Sequence, residues 1–168
     1  MFLSRISWEQ SAWRLKTAAT QPKPAFAGSR NMRANFTQLY VHCVWGTWDR
    51  LPLITPDIQE VIYASIIGQC HQLGGTVIAI GGIEEHVHLL TGIPPTLSVS
   101  DLIKNVKGSS SHLITHKINP GEFFKWQGSY GAFTVSYNDI GTVANYIRNQ
   151  AFHHRHKSVF SDWELPTG

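Results

Sequence analysis

The stretch TVIAIGGIEEHVHLLT, residues 76–91, decides the fold of this chain. Two runs of β-branched and aliphatic residues flank the Gly81-Gly82 pair, a pattern typical of an antiparallel hairpin. Along a strand, successive side chains point to opposite faces of the sheet, so His86 and His88 share one face. Two adjacent imidazoles can hold one metal ion. The hairpin therefore predicts a sheet with a candidate metal site on one of its faces.

Helices and further strands are predicted on both sides of this hairpin. Aromatic and β-branched residues indicate a central strand, and apolar stripes at helical spacing indicate helices. In chain order, the predicted elements are a strand over 36–48, a helix over 55–71, strands over 76–80 and 85–91, a helix over 99–116, one or two strands within 121–136 and a helix over 138–154. This βαββαβα order predicts an α+β fold in which an antiparallel sheet carries helices packed on one face, of the ferredoxin-like kind.

Composition bounds the class of protein. At 168 residues and 42% hydrophobic residues, the chain can bury one core, which favours a single domain. Its two cysteines are too few for a disulfide framework, so a reducing cytoplasm is the expected compartment. No apolar run approaches the roughly 18 to 20 residues that cross a bilayer, so no membrane association is predicted.

The excess of positive charge lies at the N-terminus. Residues 1–31 hold five basic residues and one acidic residue, and residues 32–168 hold nine basic and ten acidic ones. The overall charge of +3 is therefore no indication of nucleic-acid binding. Because residues 1–31 also lack a sustained hydrophobic period of either helix or strand, we expect a non-domain extension there, with Met32 as the natural start and a single domain over 32–168.

The last predicted helix contains Tyr146 and Gln150, four residues apart. This spacing puts both side chains on one helix face, about a turn from each other, so a phenol and an amide oxygen can reach the same small volume. A packed tyrosine beside a solvated glutamine has the same spacing, and spacing alone leaves both readings open. Tyr130 and Tyr137 are nearby phenols, but neither has a glutamine four residues later.

Other histidines form two groups, His112 with His116 and His153 with His154 and His156. The first pair shares a helical face and has no acidic or cysteine partner nearby in the sequence. We expect a solvated face for the pair, and a solvated helix end or a phosphate contact for the second group.

Four segments in order carry a resemblance to a known family: EEHVHLL, PPTLSVSDLIKNVKGSSS, WQGSYGAFTVS and YIRNQAFHH. They resemble the single-tyrosine HUH transposases of small insertion sequences and their REP-associated relatives, over roughly residues 36–160. The resemblance implies an HUH endonuclease type of fold and an enzyme that cuts and rejoins single-stranded DNA.

The resemblance also implies roles for individual residues. His86 and His88 match the two histidine ligands of a divalent metal, Gln150 matches the third protein ligand, and Tyr146 matches the nucleophile that forms a 5′-phosphotyrosine. Such a mixed nitrogen and oxygen set suits Mn²⁺ or Mg²⁺ and leaves positions open for substrate. A phosphotyrosine ester preserves the energy of the broken backbone bond for rejoining.

The expected partner is single-stranded DNA with hairpin structure at the ends of a mobile element. Lys104 and Lys107 on one helix, and Arg148 and Arg155 on the last, are candidate phosphate contacts, although ordinary solvated charges have the same pattern. Members of the family commonly work as homodimers that exchange the tyrosine helix between subunits, and a homodimer is expected here.

Two alternatives remain open on the sequence. One is a degenerate or domesticated protein that binds single-stranded hairpins without cleaving them. The other is a metal-dependent phosphodiesterase that uses the same histidines with water as the nucleophile. The tail SVFSDWELPTG, residues 158–168, ends earlier than the resemblance leads us to expect, so a shortened C-terminus is predicted.

Overall fold

One antiparallel sheet organises the protein, whose computed structural model describes residues 36–164. Its strands are β1 (Tyr40–Gly46), β2 (Thr76–Ile83), β3 (His86–Gly92) and β4 (Gly131–Val135), in the order β2-β3-β1-β4. The helices are α1 (Pro56–Gln72), α2 (Val99–Leu113), α3 (Ile140–Arg148) and α4 (Gln150–Arg155). The predicted α+β class, antiparallel sheet and central first strand are confirmed. The predicted extension over residues 1–31 lies outside the described residues, within which no helix is long and apolar enough to span a membrane.

Side-chain alternation along β3 separates two hydrophobic cores, one on each face of the sheet. Val87 and Leu89 enter the main core, which α1 and α2 complete, whereas Leu90 packs with α3 on the opposite face. Helices therefore lie on both faces of the sheet, and the predicted packing on one face holds for α1 and α2 alone. The physical reason is that α3 has an apolar stripe of its own, which buries Val143 and Ile147 against this second face.

The hairpin turns later than its glycines suggest. The turn is formed by Glu84 and Glu85, and Gly81 lies inside β2, paired with His88. A Cβ atom added at Gly81 would lie 2.2 Å from the carbonyl oxygen of Ile147 in α3. Gly81 is thus required for the close approach of α3 to the sheet, not for a turn.

We expect Gly81→Ala to destabilise the protein by about 1–3 kcal/mol, because the atom it would meet is backbone and α3 must move away as a whole. Urea unfolding measures this difference. The matched control is Gly68→Ala in α1, where an added Cβ meets nothing within 4 Å and alanine favours the helix. Equal stability of Gly81→Ala and the wild type would contradict this account of the packing.

The predicted helix over 138–154 is two helices in the structure. Asn149 interrupts it with φ −104° and ψ 19°, and its side-chain amide donates to the carbonyl oxygen of Asn145 at 2.8 Å. Asparagine side chains that bond nearby backbone compete with helical geometry, which explains the break. Tyr146 therefore belongs to α3 and Gln150 begins α4, so one continuous helix face does not relate them as predicted.

Candidate active site

Two buried histidines of β3 form the centre of the site. His86 and His88 lie on the sheet face that packs against α3, as their alternation predicts, with ring centroids 4.9 Å apart. The Nε2 atoms of both rings face one carboxylate oxygen, Oε2 of Glu164, at 3.7 and 3.3 Å. The strand geometry thus directs two imidazole nitrogens at one point.

Tyr146 and Gln150 join the histidines from the two short helices. The Oε1 atom of Gln150 lies 3.4 Å from Nε2 of His86, and the Tyr146 hydroxyl donates a hydrogen bond to Oε1 of Glu164. Both side chains are buried. The structure therefore brings the four predicted site residues together within one chain, from β3, α3 and α4.

Sequence reasoning missed Glu164. It follows the short 3₁₀ turn Ser161–Trp163, and its side chain is 13% exposed between the histidines and Tyr146. His154 also enters the site, with Nε2 4.0 Å from Oε1 of Glu164, whereas the sequence predicted a solvated helix end or a phosphate contact. The only indication of Glu164 in the sequence is a pair of acids, Asp162 and Glu164, around Trp163 in the tail, which is no recognisable pattern.

The tail covers the phenol of Tyr146. Phe160 and Trp163 pack on its ring with centroid distances of 5.2 and 5.1 Å, and the Phe160 backbone N–H donates to its hydroxyl at 3.3 Å. The ring of His153 also packs on the ring of Tyr146, with a centroid distance of 4.8 Å. Tyr146 is 3% exposed as a result, so a large substrate reaches the phenol only when residues 160–164 move away.

Burial sets the protonation states of the site. Burial, and to a lesser extent the neighbouring His88, lower the pKa of His86 to about 3. Burial also raises the pKa of Tyr146, and its hydrogen bond to Glu164 adds to this, so that the value is about 12. For Glu164, burial acts to raise the pKa, but its contacts with His88 and Tyr146 outweigh this and lower it to about 2. The site at neutral pH thus holds a neutral His86, a carboxylate and a protonated phenol.

The donor atoms fit a divalent cation. Nitrogen atoms of His86 and His88 and a carboxylate oxygen of Glu164 all lie within 4.8 Å of one another, and Gln150 offers an amide oxygen beside them. Neighbouring ligands of an octahedral ion with bonds of about 2.1 Å lie about 3 Å apart, so small movements of these side chains suffice. The buried Nε2 of His88 has no hydrogen-bond partner, as a metal-ligating nitrogen requires. Glu164 is therefore a candidate ligand beside the predicted ligands His86, His88 and Gln150.

We expect the metal-free protein to lose stability as the pH falls below about 6.5. Burial lowers the pKa of both His42 and His86 to about 3. Between pH 3 and 6.5, these two histidines are therefore protonated in the unfolded chain but neutral in the folded protein. The free energy of unfolding then falls by up to about 1.4 kcal/mol per pH unit for each histidine. Urea unfolding in a chelator, from pH 7.5 down to pH 5, measures this slope.

A matched variant separates the two histidines. His42→Phe removes one titrating group and should reduce the slope by about half, whereas His71→Phe, at an exposed position, should leave it unchanged. Stability that is constant from pH 7.5 to pH 5 would contradict the buried, neutral state of these imidazoles.

The four predicted phosphate contacts do not form one surface. Lys104 and Lys107 belong to α2 and Arg148 to α3, and these helices pack on opposite faces of the sheet. Lys107 donates from Nζ to the carbonyl oxygen of Ser129 at 3.2 Å and also to that of Gln127, and Arg148 donates to that of Ile78 at 2.9 Å. Lys104 and Arg155 have exposed side chains. Lys107 and Arg148 therefore already donate hydrogen bonds to backbone carbonyl oxygens of the protein.

The pair His112 and His116 lies on the exposed side of α2 and the following turn, with rings stacked 4.1 Å apart. Among residues 36–164, no third histidine, cysteine or acidic residue joins them in a cluster that could hold a metal ion. The geometry agrees with the solvated face that the sequence predicts.

Comparison with known proteins decides the family. A sequence model described as "Transposase IS200 like" matches residues 35–150. The chain belongs to this family. The predicted resemblance is therefore confirmed, and the site lies in an IS200-like transposase.

Known proteins similar to this IS200-like transposase agree with that assignment. The ISDra2 transposase TnpA of Deinococcus radiodurans is 27% identical over 120 residues, which cover 67% of this chain and 84% of that protein. Two solved structures share the fold. One, from Deinococcus radiodurans R1 and assigned as a transposase, has a TM-score of 0.58 at 24% identity and covers 73% of this chain and 98% of its own. The other, a REP-associated tyrosine transposase bound to a REP hairpin, has a TM-score of 0.56 at 16% identity, with 79% and 76% covered.

Proposed function

We propose that this IS200-like transposase cuts and rejoins single-stranded DNA at hairpin-containing element ends, through a covalent 5′-phosphotyrosine on Tyr146. A divalent cation, Mn²⁺ or Mg²⁺, would be held by His86, His88 and Gln150, with Glu164 as a further oxygen donor until residues 160–164 move away and the DNA phosphate takes its place. When bound, the cation would neutralise the charge of a phosphodiester and polarise its phosphorus.

One observation carries the proposal: a single carboxylate bridges the phenol and the imidazoles. The Oε1 atom of Glu164 accepts the hydrogen bond of Tyr146, and Oε2 lies 3.3 Å from Nε2 of His88. A phosphodiester also presents two oxygens that share a negative charge. The space between the nucleophile and the nitrogen ligands thus accommodates a group of the same charge and similar reach.

The chemistry of Tyr146 follows from this geometry. Its oxygen would form a bond to phosphorus as the bond between phosphorus and the 3′ oxygen breaks, and the phenol proton would end on the released 3′-hydroxyl. A later attack by a DNA 3′-hydroxyl on the phosphotyrosine reverses the exchange and completes a strand transfer. Because burial and the Glu164 contact raise the pKa of Tyr146 to about 12, we expect attack only after residues 160–164 uncover the phenol.

Partners form part of the same proposal. The REP-associated relative of the same fold was solved with a REP hairpin, which supports a hairpin substrate here. The Tyr146 and His88 rings of one chain lie 6.0 Å apart and Gln150 lies 3.4 Å from His86, which supports a site completed within one subunit. We keep the homodimer and the cytoplasmic location as predictions, and sedimentation of the purified protein with and without hairpin DNA tests the former.

Labelled DNA tests the proposed function. The protein is incubated with single-stranded DNA from the flanks of its gene, labelled at the 5′ or the 3′ end, with Mn²⁺, with Mg²⁺ or with a chelator. We expect a denaturation-resistant adduct that retains only the fragment on the 3′ side and needs the metal. Cleavage without an adduct would favour the water-using phosphodiesterase, and hairpin binding without cleavage would favour the degenerate or domesticated binder.

A further inference from the structure

A third buried histidine, His42, contacts His88 and has no role in the proposed chemistry. His42 in β1 alternates away from the main core and lies on the same sheet face as His88, with its side chain buried. Its Nε2 atom lies 2.8 Å from Nδ1 of His88, and the two ring planes are within 18° of parallel. Phe133 and Trp163 pack on the His42 ring at centroid distances of 5.7 and 6.4 Å. The contact between the imidazoles is therefore enclosed and geometrically well defined.

A hydrogen bond between two neutral imidazoles has two possible directions. If Nδ1 of His88 carries the proton and donates to His42, then Nε2 of His88 keeps a free lone pair. If His42 donates instead, Nε2 of His88 carries the proton and cannot bind a cation. The direction of one hydrogen bond thus decides whether His88 is a metal ligand.

The two histidine ligands are supported differently. His88 has a partner at hydrogen-bond distance for Nδ1, whereas Nδ1 of His86 lies 3.7 Å from the Glu85 carboxylate and has no hydrogen-bond partner. Outer partners that fix the tautomer and orientation of a ligating histidine usually contribute about 10–100-fold to metal affinity. Among the described residues, His42 is the group placed to do this for His88.

We propose that His42 is a positioning residue for the metal site: it accepts a hydrogen bond from Nδ1 of His88 and so keeps Nε2 of His88 free to bind a divalent cation. This inference rests on the cation site of the proposed function. It adds a third histidine to that site, one that acts through His88 and does not touch the cation.

Metal affinity tests the proposal without any need for DNA. Calorimetric titration of the purified protein with Mn²⁺ is expected to show about 10–100-fold weaker binding for His42→Phe, which keeps an aromatic ring but cannot accept the bond. His42→Gln places an amide oxygen near the former Nε2 position and should recover most of the affinity. His112→Phe, an exposed histidine of α2 exchanged in the same way, should bind Mn²⁺ like the wild type.

The tautomers of His88 and His42 distinguish a positioning role of His42 from a purely structural one. Long-range ¹H–¹⁵N spectra of the wild-type protein saturated with Mg²⁺ are expected to show His88 protonated at Nδ1 and His42 unprotonated at Nε2. The reverse assignment would overturn the proposal, and this measurement does not depend on whether a variant folds.

His86→Ala distinguishes the inference from the function on which it rests. If His86→Ala loses Mn²⁺ binding while His42→Phe retains wild-type affinity, only the role of His42 is wrong. If His86→Ala binds Mn²⁺ as well as the wild type, the cation site itself is wrong, and the role of His42 falls with it.

Discussion

Tyr146→Phe is expected to eliminate the covalent protein–DNA adduct and to reduce cleavage by about 10⁴-fold or more, since a nucleophile that is removed cannot be replaced by its neighbours. The substitution keeps the ring that packs against Phe160 and Trp163 and removes only the hydroxyl. The stability cost should be about 2 kcal/mol, because the hydroxyl makes two hydrogen bonds, with Glu164 and Phe160, and each has a usual net value of about 1 kcal/mol. Denaturing gels of labelled DNA measure the adduct, and urea unfolding measures the stability.

Two other tyrosines are matched controls for this experiment. Tyr137 is 56% exposed, and Tyr130 lies in the loop before β4 and is also exposed. Tyr137→Phe and Tyr130→Phe should form the adduct at the wild-type level. An adduct that persists in Tyr146→Phe and disappears in one of these controls would assign the nucleophile to another phenol.

The second large effect is expected for His88→Ala. This substitution removes a nitrogen that binds the metal directly. Loss of an outer partner usually weakens metal binding about 10–100-fold, so Mn²⁺ affinity should fall by more than that. The adduct should be lost with it, because the cation is expected to polarise the phosphodiester. Calorimetric titration with Mn²⁺ and the adduct assay are both needed, since the first reports on the site and the second on its use.

His71→Ala is the matched control, because His71 is an exposed histidine near the end of α1, which packs on the opposite face of the sheet from the site. It should change neither readout. If His88→Ala formed the adduct at the wild-type rate in a chelator, the cation would have no part in the reaction, and Tyr146 would act by itself.

Local sequence patterns predicted much of the fold and singled out four of the six side chains that meet in the candidate site, but not Glu164 or His154. The strand alternation that places His86 and His88 on one face needs only the extended backbone, and the structure has both on that face. The period of α1 and α2 likewise requires only helical geometry and an apolar core, and both helices are present within a few residues of the predicted bounds. Bounds and turns were less accurate, as the true turn at Glu84 and Glu85 illustrates.

What the sequence by itself determined is the set of residues that each element presents: two histidines on one strand face, a tyrosine and a glutamine near the end of the chain, and the order of strands and helices. What only the tertiary structure decided is which of these groups meet. The close approach of α3 to the sheet depends on the contact of Gly81 with Ile147, and the entry of Glu164 depends on a tail that folds back to His88, 76 residues earlier in the chain. Repeating patterns report on the local backbone, whereas such contacts arise from the shape of two surfaces that are distant in the chain, and no period in the sequence records them.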